Sequence, residues 1–219
     1  KAAQAAGLSY EKIVLSPLSH AGYYPGGKLM TMKVLYEKGS QRLLGAQIVG
    51  HEGVDKRIDV LATAMQAGLP VTALKDLDLA YAPPYASAKD PVNLVGFMAE
   101  NLEQGVVKQF HWEDVAGLPR DGSVTLLDAR TPGEYSGGCA EGFVNVPLDE
   151  LRDHLGEIAP GKPVYVMCQS GLRSYLACRI LAQDGYDCYN FSGGYRFYES
   201  VLLDRWTRQN AYPCGVERP

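Results

Sequence analysis

The chain has 219 residues, 46% of them hydrophobic and 21% charged, with a formal net charge of −4. That apolar mass suffices for one large or two modest cores, and the acidic balance argues against a nucleic acid or an anionic membrane surface as the main partner. No apolar stretch approaches the roughly 20 residues that span a bilayer, so no membrane association is expected. The start, "KAAQAAGLSYEK", lacks the apolar segment of a signal peptide. It begins at Lys1 rather than Met, as expected of a processed or excised fragment. Split near Gln104, residues 1–104 carry ten basic and ten acidic side chains, net zero, and residues 105–219 carry eleven and fifteen, net −4. This asymmetry fits two units. The five cysteines are odd in number and show no CxxC spacing, which disfavours a disulfide scaffold and a structural zinc site. A reducing cytoplasm is the expected compartment.

In chain order, Leu29–Tyr36 alternates as a strand, "EKGSQ" reads as a hairpin turn with Gly39 free to take positive φ, and Leu43–Val49 returns. Asp55–Ala67 spaces Ile58, Leu61, Ala62 and Met65 as a helix does, with Gly68 and Pro70 to stop it. "VTALKDLDL" predicts a second short helix capped by Thr72. "AYAPPYASAKDPVN" suits neither a regular helix nor a central strand, and Pro91–Leu102 resumes a helix. Hairpin and helices together predict an α+β unit. "EQGVVKQFHWEDV" bridges to the second half. There "VTLLDAR" predicts a buried strand and "TPGEY" a short helix with Thr131 as cap and Pro132 in its first turn. "GFVNVP" reads as a strand, "LDELRDHLGEI" as a helix, "KPVYVMC" as a strand, "LRSYLACRILAQDG" as a helix ended by Gly185, and "CYNFSGG" as a last strand. Alternating short strands and helices predict βα units and a largely parallel sheet.

The "VYVMCQSGLRS" stretch, residues 164–174, concentrates the chemistry. A strand feeding a helix puts its connecting loop at the carboxyl edge of a parallel sheet, where ligands bind. Backbone N–H groups and the helix dipole point into such a loop and favour the reactive thiolate of a cysteine placed there. Arg173 adds a full positive charge, Gly171 lets the backbone turn, and Ser174 can cap or donate into the loop. Residues 168–174 therefore describe an anion cradle around a nucleophilic sulfur, with Gln169, Ser170, Gly171, Leu172 and Ser174 as its frame. Cysteine-dependent phosphatases have five residues between Cys and Arg. Here there are four, and the smaller loop suits one extra sulfur atom rather than a tetrahedral phosphate.

This pattern resembles the "CxxGxRS" loop of the rhodanese sulfurtransferases. "LLDARTPGEY" is similar to the family's D-x-R-x-x-x-E-[FY], matched at Asp128, Arg130, Glu134 and Tyr135. "GFVNVPLDEL" and "YNFSGGYRFY" resemble two further family segments in the right order. The resemblance covers residues 106–200 and implies persulfide formation on Cys168, with Asp128 and Arg130 supporting the loop by ion pairing. One departure concerns Cys139, where the family usually has His. A second thiol there is either inert or able to resolve a persulfide. Cys178 reads as core packing, and Cys188 and Cys214 as structural or incidental.

"SPLSHAGYYPGG" and "LAYAPPYASAKDPVN" resemble the dimerisation domain of flavin- and nicotinamide-dependent disulfide reductases, above all the coenzyme A disulfide reductase branch, some members of which carry a fused rhodanese domain. The implied architecture is an α+β dimerisation domain over residues 1–104, truncated at its start, followed by an α/β rhodanese-like domain with a mainly parallel sheet over residues 105–219. No GxGxxG fingerprint occurs. The fragment is therefore expected to bind no cofactor itself, with FAD, NAD(P)H and coenzyme A belonging to a full-length homodimer. In that dimer, His20, Tyr23, Tyr24, Tyr81 and Tyr85 would reach the partner's flavin site, where a phenol can protonate a leaving thiolate; the alternative is a purely structural aromatic interface. The resemblance implies a sulfane sulfur donor and a thiol acceptor as small-molecule partners. The competing functional reading is a non-catalytic dimerisation and sulfur-carrier module.

Overall fold

The computed structural model describes residues 2–210; Cys214 lies outside the described residues. After a single helical turn, α1 (Ala2–Ala5), the chain builds a three-stranded antiparallel sheet from β1 (Tyr10–Leu15), β2 (Met30–Glu37) and β3 (Leu43–Gly50) in sequential order. The centre strand alternates strictly, so Met30, Met32, Val34 and Tyr36 point into the core. α2 (Val54–Gln66), a 3-10 turn (Val71–Asp76) and α3 (Pro91–Glu103) cover that face, adding Leu61, Leu74, Val92 and Val95 to one apolar cluster. α3 and the 3-10 turn touch at Gly96: a Cβ there would stand 2.2 Å from the Lys75 nitrogen. The hairpin turn forms as expected, with Gly39 at φ 82°. Thr72 does not cap the turn that follows Pro70. Its hydroxyl donates to Gln41 Oε1 at 2.6 Å instead, tying the turn to the hairpin.

The second sheet has the order β4-β8-β7-β5-β6, from β4 (Lys108–Phe110), β5 (Thr125–Asp128), β6 (Val144–Asn145), β7 (Val164–Met167) and β8 (Cys188–Phe191). Every pairing in it is parallel. The presumed bridge thus contains the edge strand β4, followed by the short α4 (Trp112–Val115). α5 (Pro132–Ser136) follows β5, and α6 (Leu172–Gln183) links β7 to β8. Apolar clusters cover both faces, one around Val164, Val166, Ala177 and Leu181 and the other around Phe110, Phe143, Met167 and Phe191, as a parallel sheet requires.

Besides β1, β4 and α4, which the sequence reading did not place, two further elements depart from it. Residues 148–158 form no α-helix. Successive i→i−3 bonds, from Leu151 N–H to Leu148 O (3.3 Å) and from His154 N–H to Leu151 O (3.2 Å), make tight turns that end in a 3-10 turn, Leu155–Glu157. Leu151 and Ile158 are buried, and Leu148 and Leu155 pack beside them. The longer rise of 3-10 geometry, about 2.0 Å per residue, lets this segment span its stretch of core between two prolines. After β8 comes α7 (Gly194–Asn210), which sequence reading ended at the double glycine.

The two units are tied together. Val14 N–H donates to Ser192 Oγ at 3.1 Å, Gln109 Nε2 to the Lys12 carbonyl at 2.7 Å, and Asn101 Nδ2 to the Tyr175 hydroxyl at 3.3 Å. β1 is therefore buried on both faces, by its own core through Ile13 and by the second unit through Val14. Its unbroken "IVL" run follows from that.

Candidate active site

Cys168 stands directly after β7 at the carboxyl edge of the parallel sheet and is fully buried. Its Sγ accepts from the Gly171 N–H at 3.1 Å and lies 3.2 Å from the Ser174 hydroxyl. That hydroxyl is also 3.2 Å from the Gly171 carbonyl, so its one proton serves either acceptor. Gly171 caps α6 at φ 100°, a conformation side chains disfavour. The loop rests on the β8–α7 turn: Tyr195 N–H donates to the Cys168 carbonyl at 2.7 Å and Arg196 N–H to the Gln169 carbonyl at 3.3 Å. A Cβ on Gly194 would stand 2.4 Å from Ser170 N. The double glycine is the floor of the cysteine loop.

Arg130 is the hub on the other side. It is 2% exposed and paired with the fully buried Asp128, Nη2 to Oδ2 at 2.7 Å with Nε on both oxygens. Its remaining protons reach the Glu134 and Gly138 carbonyls and Gln169 Oε1 at 3.2, 2.7 and 3.2 Å. The Tyr195 ring stacks on its guanidinium at 4.0 Å. Asp128 and Arg130 thus hold the loop through Gln169.

Arg173 does not face the sulfur as a free charge. Both its terminal nitrogens bond Glu134, each at 2.7 Å. Glu134 in turn caps α5 by accepting from Thr131 N–H. The Arg173 guanidinium holds the Glu134 carboxyl down to about 2 against partial burial. Leu172 points outward, 64% exposed. Cys139 is exposed beside Tyr135 and follows Gly138, which Arg130 holds. Cys168 Sγ is held by Gly171 and Ser174, and Cys139 is not among its partners. Cys178 and Cys188 are core residues: Cys188 Sγ lies 3.1 Å from the Cys178 carbonyl, and a side-chain hydrogen bond with Cys188 together with burial pushes the Cys178 thiol up.

In the first unit the structure gathers the predicted aromatics into pairs. The Tyr23 and Tyr81 hydroxyls hydrogen-bond at 2.7 Å, and His20 meets Tyr24 edge-on at 5.6 Å. Tyr23 and Tyr85 are 75% and 73% exposed, whereas His20 is buried. The two loops are clamped by the buried Arg57, which donates to Asp90 at 2.9 Å and to the Ser19 carbonyl at 2.8 Å. Sequence reasoning missed this clamp, the Glu134–Arg173 pair and the Tyr195 stack. The T-x-x-E spacing of a capping box could have revealed Glu134; nothing local marks the others.

Among the described residues no cluster could hold a metal ion and no helix is long and apolar enough to cross a membrane.

A βα loop closed over a strand-end cysteine on this parallel sheet defines a rhodanese-like unit. Residues 111–200 match the rhodanese-like domain and residues 1–91 match the pyridine nucleotide-disulphide oxidoreductase dimerisation domain, so the chain joins one to the other. Its first part is 44% identical over 93 residues to the coenzyme A disulfide reductase of Staphylococcus haemolyticus, 42% of this chain and 21% of that protein. The reduced Bacillus anthracis CoADR-RHD is 44% identical and superposes with a TM-score of 0.89, over 93% of this chain and 36% of the other. A NAD-dependent persulfide reductase from A. fulgidus is 39% identical with a TM-score of 0.79, over 88% and 34%. The chain thus spans about a fifth of the curated relatives and about a third of these solved structures.

Proposed function

We propose that the chain carries out rhodanese-type sulfur transfer through a persulfide on Cys168. The observation that carries this reading is the sulfur at the end of β7 with the Gly171 N–H and the Ser174 hydroxyl directed at it. The Cys168 thiolate attacks the sulfane sulfur of a donor such as thiosulfate. A new S–S bond forms, the donor's S–S bond breaks, and sulfite leaves with the electron pair. A thiolate acceptor then attacks the terminal sulfur, forming its own persulfide and returning the Cys168 thiolate. Loop N–H groups and the Ser174 hydroxyl stabilise the anionic sulfur. Arg173 contributes as half of an ion pair that fixes the loop's mouth on α5, and Arg130 positions Gln169.

The dimerisation domain and the relatives support a place for this unit inside a longer cytoplasmic, homodimeric enzyme with FAD and NAD(P)H, acting on coenzyme A-type disulfides or persulfides. In that protein the flavin chemistry would come from other domains. This chain would contribute the Tyr23–Tyr81 hydroxyl pair, with His20, Tyr24 and Tyr85 around it, to the partner's site. Cys139 would serve as a nearby exposed thiol. A second reading, a carrier and assembly module without turnover, is favoured by the complete burial of Cys168.

Intact mass after incubation with thiosulfate or glutathione persulfide separates the two. A gain of one sulfur atom, absent in Cys168→Ser and removed by cyanide, supports transfer. A folded chain with a free Cys168 thiol that gains nothing from either donor supports the module.

A further inference from the structure

Three sulfurs lie in one apolar cluster of the second unit: Cys168 after β7, Cys178 on α6 and Cys188 at the start of β8. All three are free thiols. The proposed sulfur transfer uses only the first. Cys178 and Cys188 face each other where α6 packs on β8. They are 2% and 8% exposed, and Cys188 Sγ approaches the Cys178 carbonyl to 3.1 Å. The two thiols also hydrogen-bond to each other. That bond lowers the Cys188 thiol against burial and raises the Cys178 thiol, so Cys188 is the sulfur that ionises first and the better nucleophile.

We propose that Cys178 and Cys188 form a reversible redox pair, a modification site that a peroxide converts to a disulfide between α6 and β8. The Cys188 thiolate attacks one peroxide oxygen, the O–O bond breaks, and hydroxide leaves with the electron pair. The Cys178 thiol then attacks the sulfenic sulfur on Cys188. The S–S bond forms, the S–O bond breaks, and water leaves with the Cys178 proton. The two thiols lose two electrons, and hydrogen peroxide is reduced to water. Hydrogen peroxide is uncharged and little larger than water, and it meets Cys188 at its exposed edge. A disulfide brings its sulfurs to about 2 Å; thiols already in hydrogen-bond contact close that gap by rotating about their Cα–Cβ bonds. The bond latches together the two elements that hold the Cys168 sulfur. Ser174 stands one turn before Cys178 on α6, and β8 runs on into Gly193 and Gly194 beneath the loop. Oxidation of the pair is independent of sulfur transfer.

The test uses the whole chain, first reduced and then exposed to hydrogen peroxide. Remaining thiols are capped with N-ethylmaleimide in denaturant, and monomeric protein is digested with trypsin without reductant. Cleavage after Arg173, Arg179 and Arg196 puts Cys178 in peptide 174–179, Cys188 in peptide 180–196 and Cys168 in neither. Mass spectrometry should find these two peptides joined and lighter than their sum by two hydrogens, and dithiothreitol should separate them. Cys168→Ser and Cys139→Ser should leave the link in place. Recovery of the two peptides unlinked from peroxide-treated protein, or Cys178 joined to the Cys168 peptide instead, overturns the proposal, and neither result depends on a variant folding.

Discussion

Glu134→Gln tests how the mouth of the cysteine loop is held. The carboxyl of Glu134 sits at about 2 instead of the ordinary 4.5, chiefly because both its oxygens accept from Arg173. Taken alone, that displacement is worth about 3 kcal/mol. Both side chains are about a third open to solvent, 33% and 31%, so screening and side-chain entropy reduce the expected contribution to about 1 kcal/mol. Glutamine keeps an oxygen for the Thr131 capping box, removes the charge and replaces one of the two Arg173 acceptors with an amide donor. Because the folded-state value lies below the unfolded one, the stabilisation is complete above pH 4.5 and is lost as pH falls towards 2. Urea unfolding should therefore show Glu134→Gln less stable by about 1 kcal/mol at pH 7, with the gap closing between pH 4.5 and 2. The freed Arg173 guanidinium should also speed Cys168 alkylation by iodoacetamide. Equal stability of the two proteins at pH 7, or a gap unchanged down to pH 2, would refute the assignment of the pair as the clasp of the loop.

Three further outcomes follow from the geometry. Arg130→Met strips the fully buried Asp128 of its ion-pair partner, and should cost about 3–5 kcal/mol by denaturant unfolding; adding Asp128→Asn should recover much of it. Gly194→Ala forces a left-handed residue and puts a methyl 2.4 Å from Ser170 N; it should destabilise by about 1–3 kcal/mol and depress sulfur loading of Cys168 in the mass assay. Tyr23→Phe removes the partner that raises the Tyr81 phenol, so ultraviolet titration should show Tyr81 ionising at lower pH with the melting temperature unchanged.

The parallel sheet and the cysteine loop were legible because each rests on local chemistry. Val164–Met167 is an apolar run of strand length, and Cys168, Gly171 and a helical pattern follow it in the order a βα loop needs. Thr131 and Pro132 marked α5 for the same reason. What escaped is set by residues far apart in the chain. β1 carries no alternation, because Ile13 packs into its own sheet while Val14 meets Gly193, 179 positions on. α7 has no single apolar stripe: Tyr195 and Tyr198 pack inward while Leu203 and Trp206 are largely exposed. Glu134 stands at capping-box spacing from Thr131, but its second partner, Arg173, is brought to it only by the folded sheet. Residues 148–158 read as a helix because leucines at positions 148, 151 and 155 have the three-then-four spacing of an α-helical face, whereas the segment turns by i→i−3 bonds.

Two domains that look like beads in the sequence are coupled through one strand. β1 belongs to the first sheet by register, Ile13 opposite Val34. It also donates the Val14 N–H to Ser192, and its Val14 side chain lies where a Cβ on Gly193 would stand 2.9 Å away. The next residue, Gly194, supports Ser170 and Gln169. The chain of contacts therefore runs from the first core through Val14 and Gly193–Gly194 to the loop that holds the Cys168 sulfur, by the Val14 side chain on Gly193 and the close backbone approach of Gly194 to Gln169 and Ser170. Separating the second unit would strip Val14 from its packing and leave Ser192 without its backbone partner, next to the floor of the loop. A rhodanese-like unit built this way owes part of the shape of its reactive loop to the domain beside it.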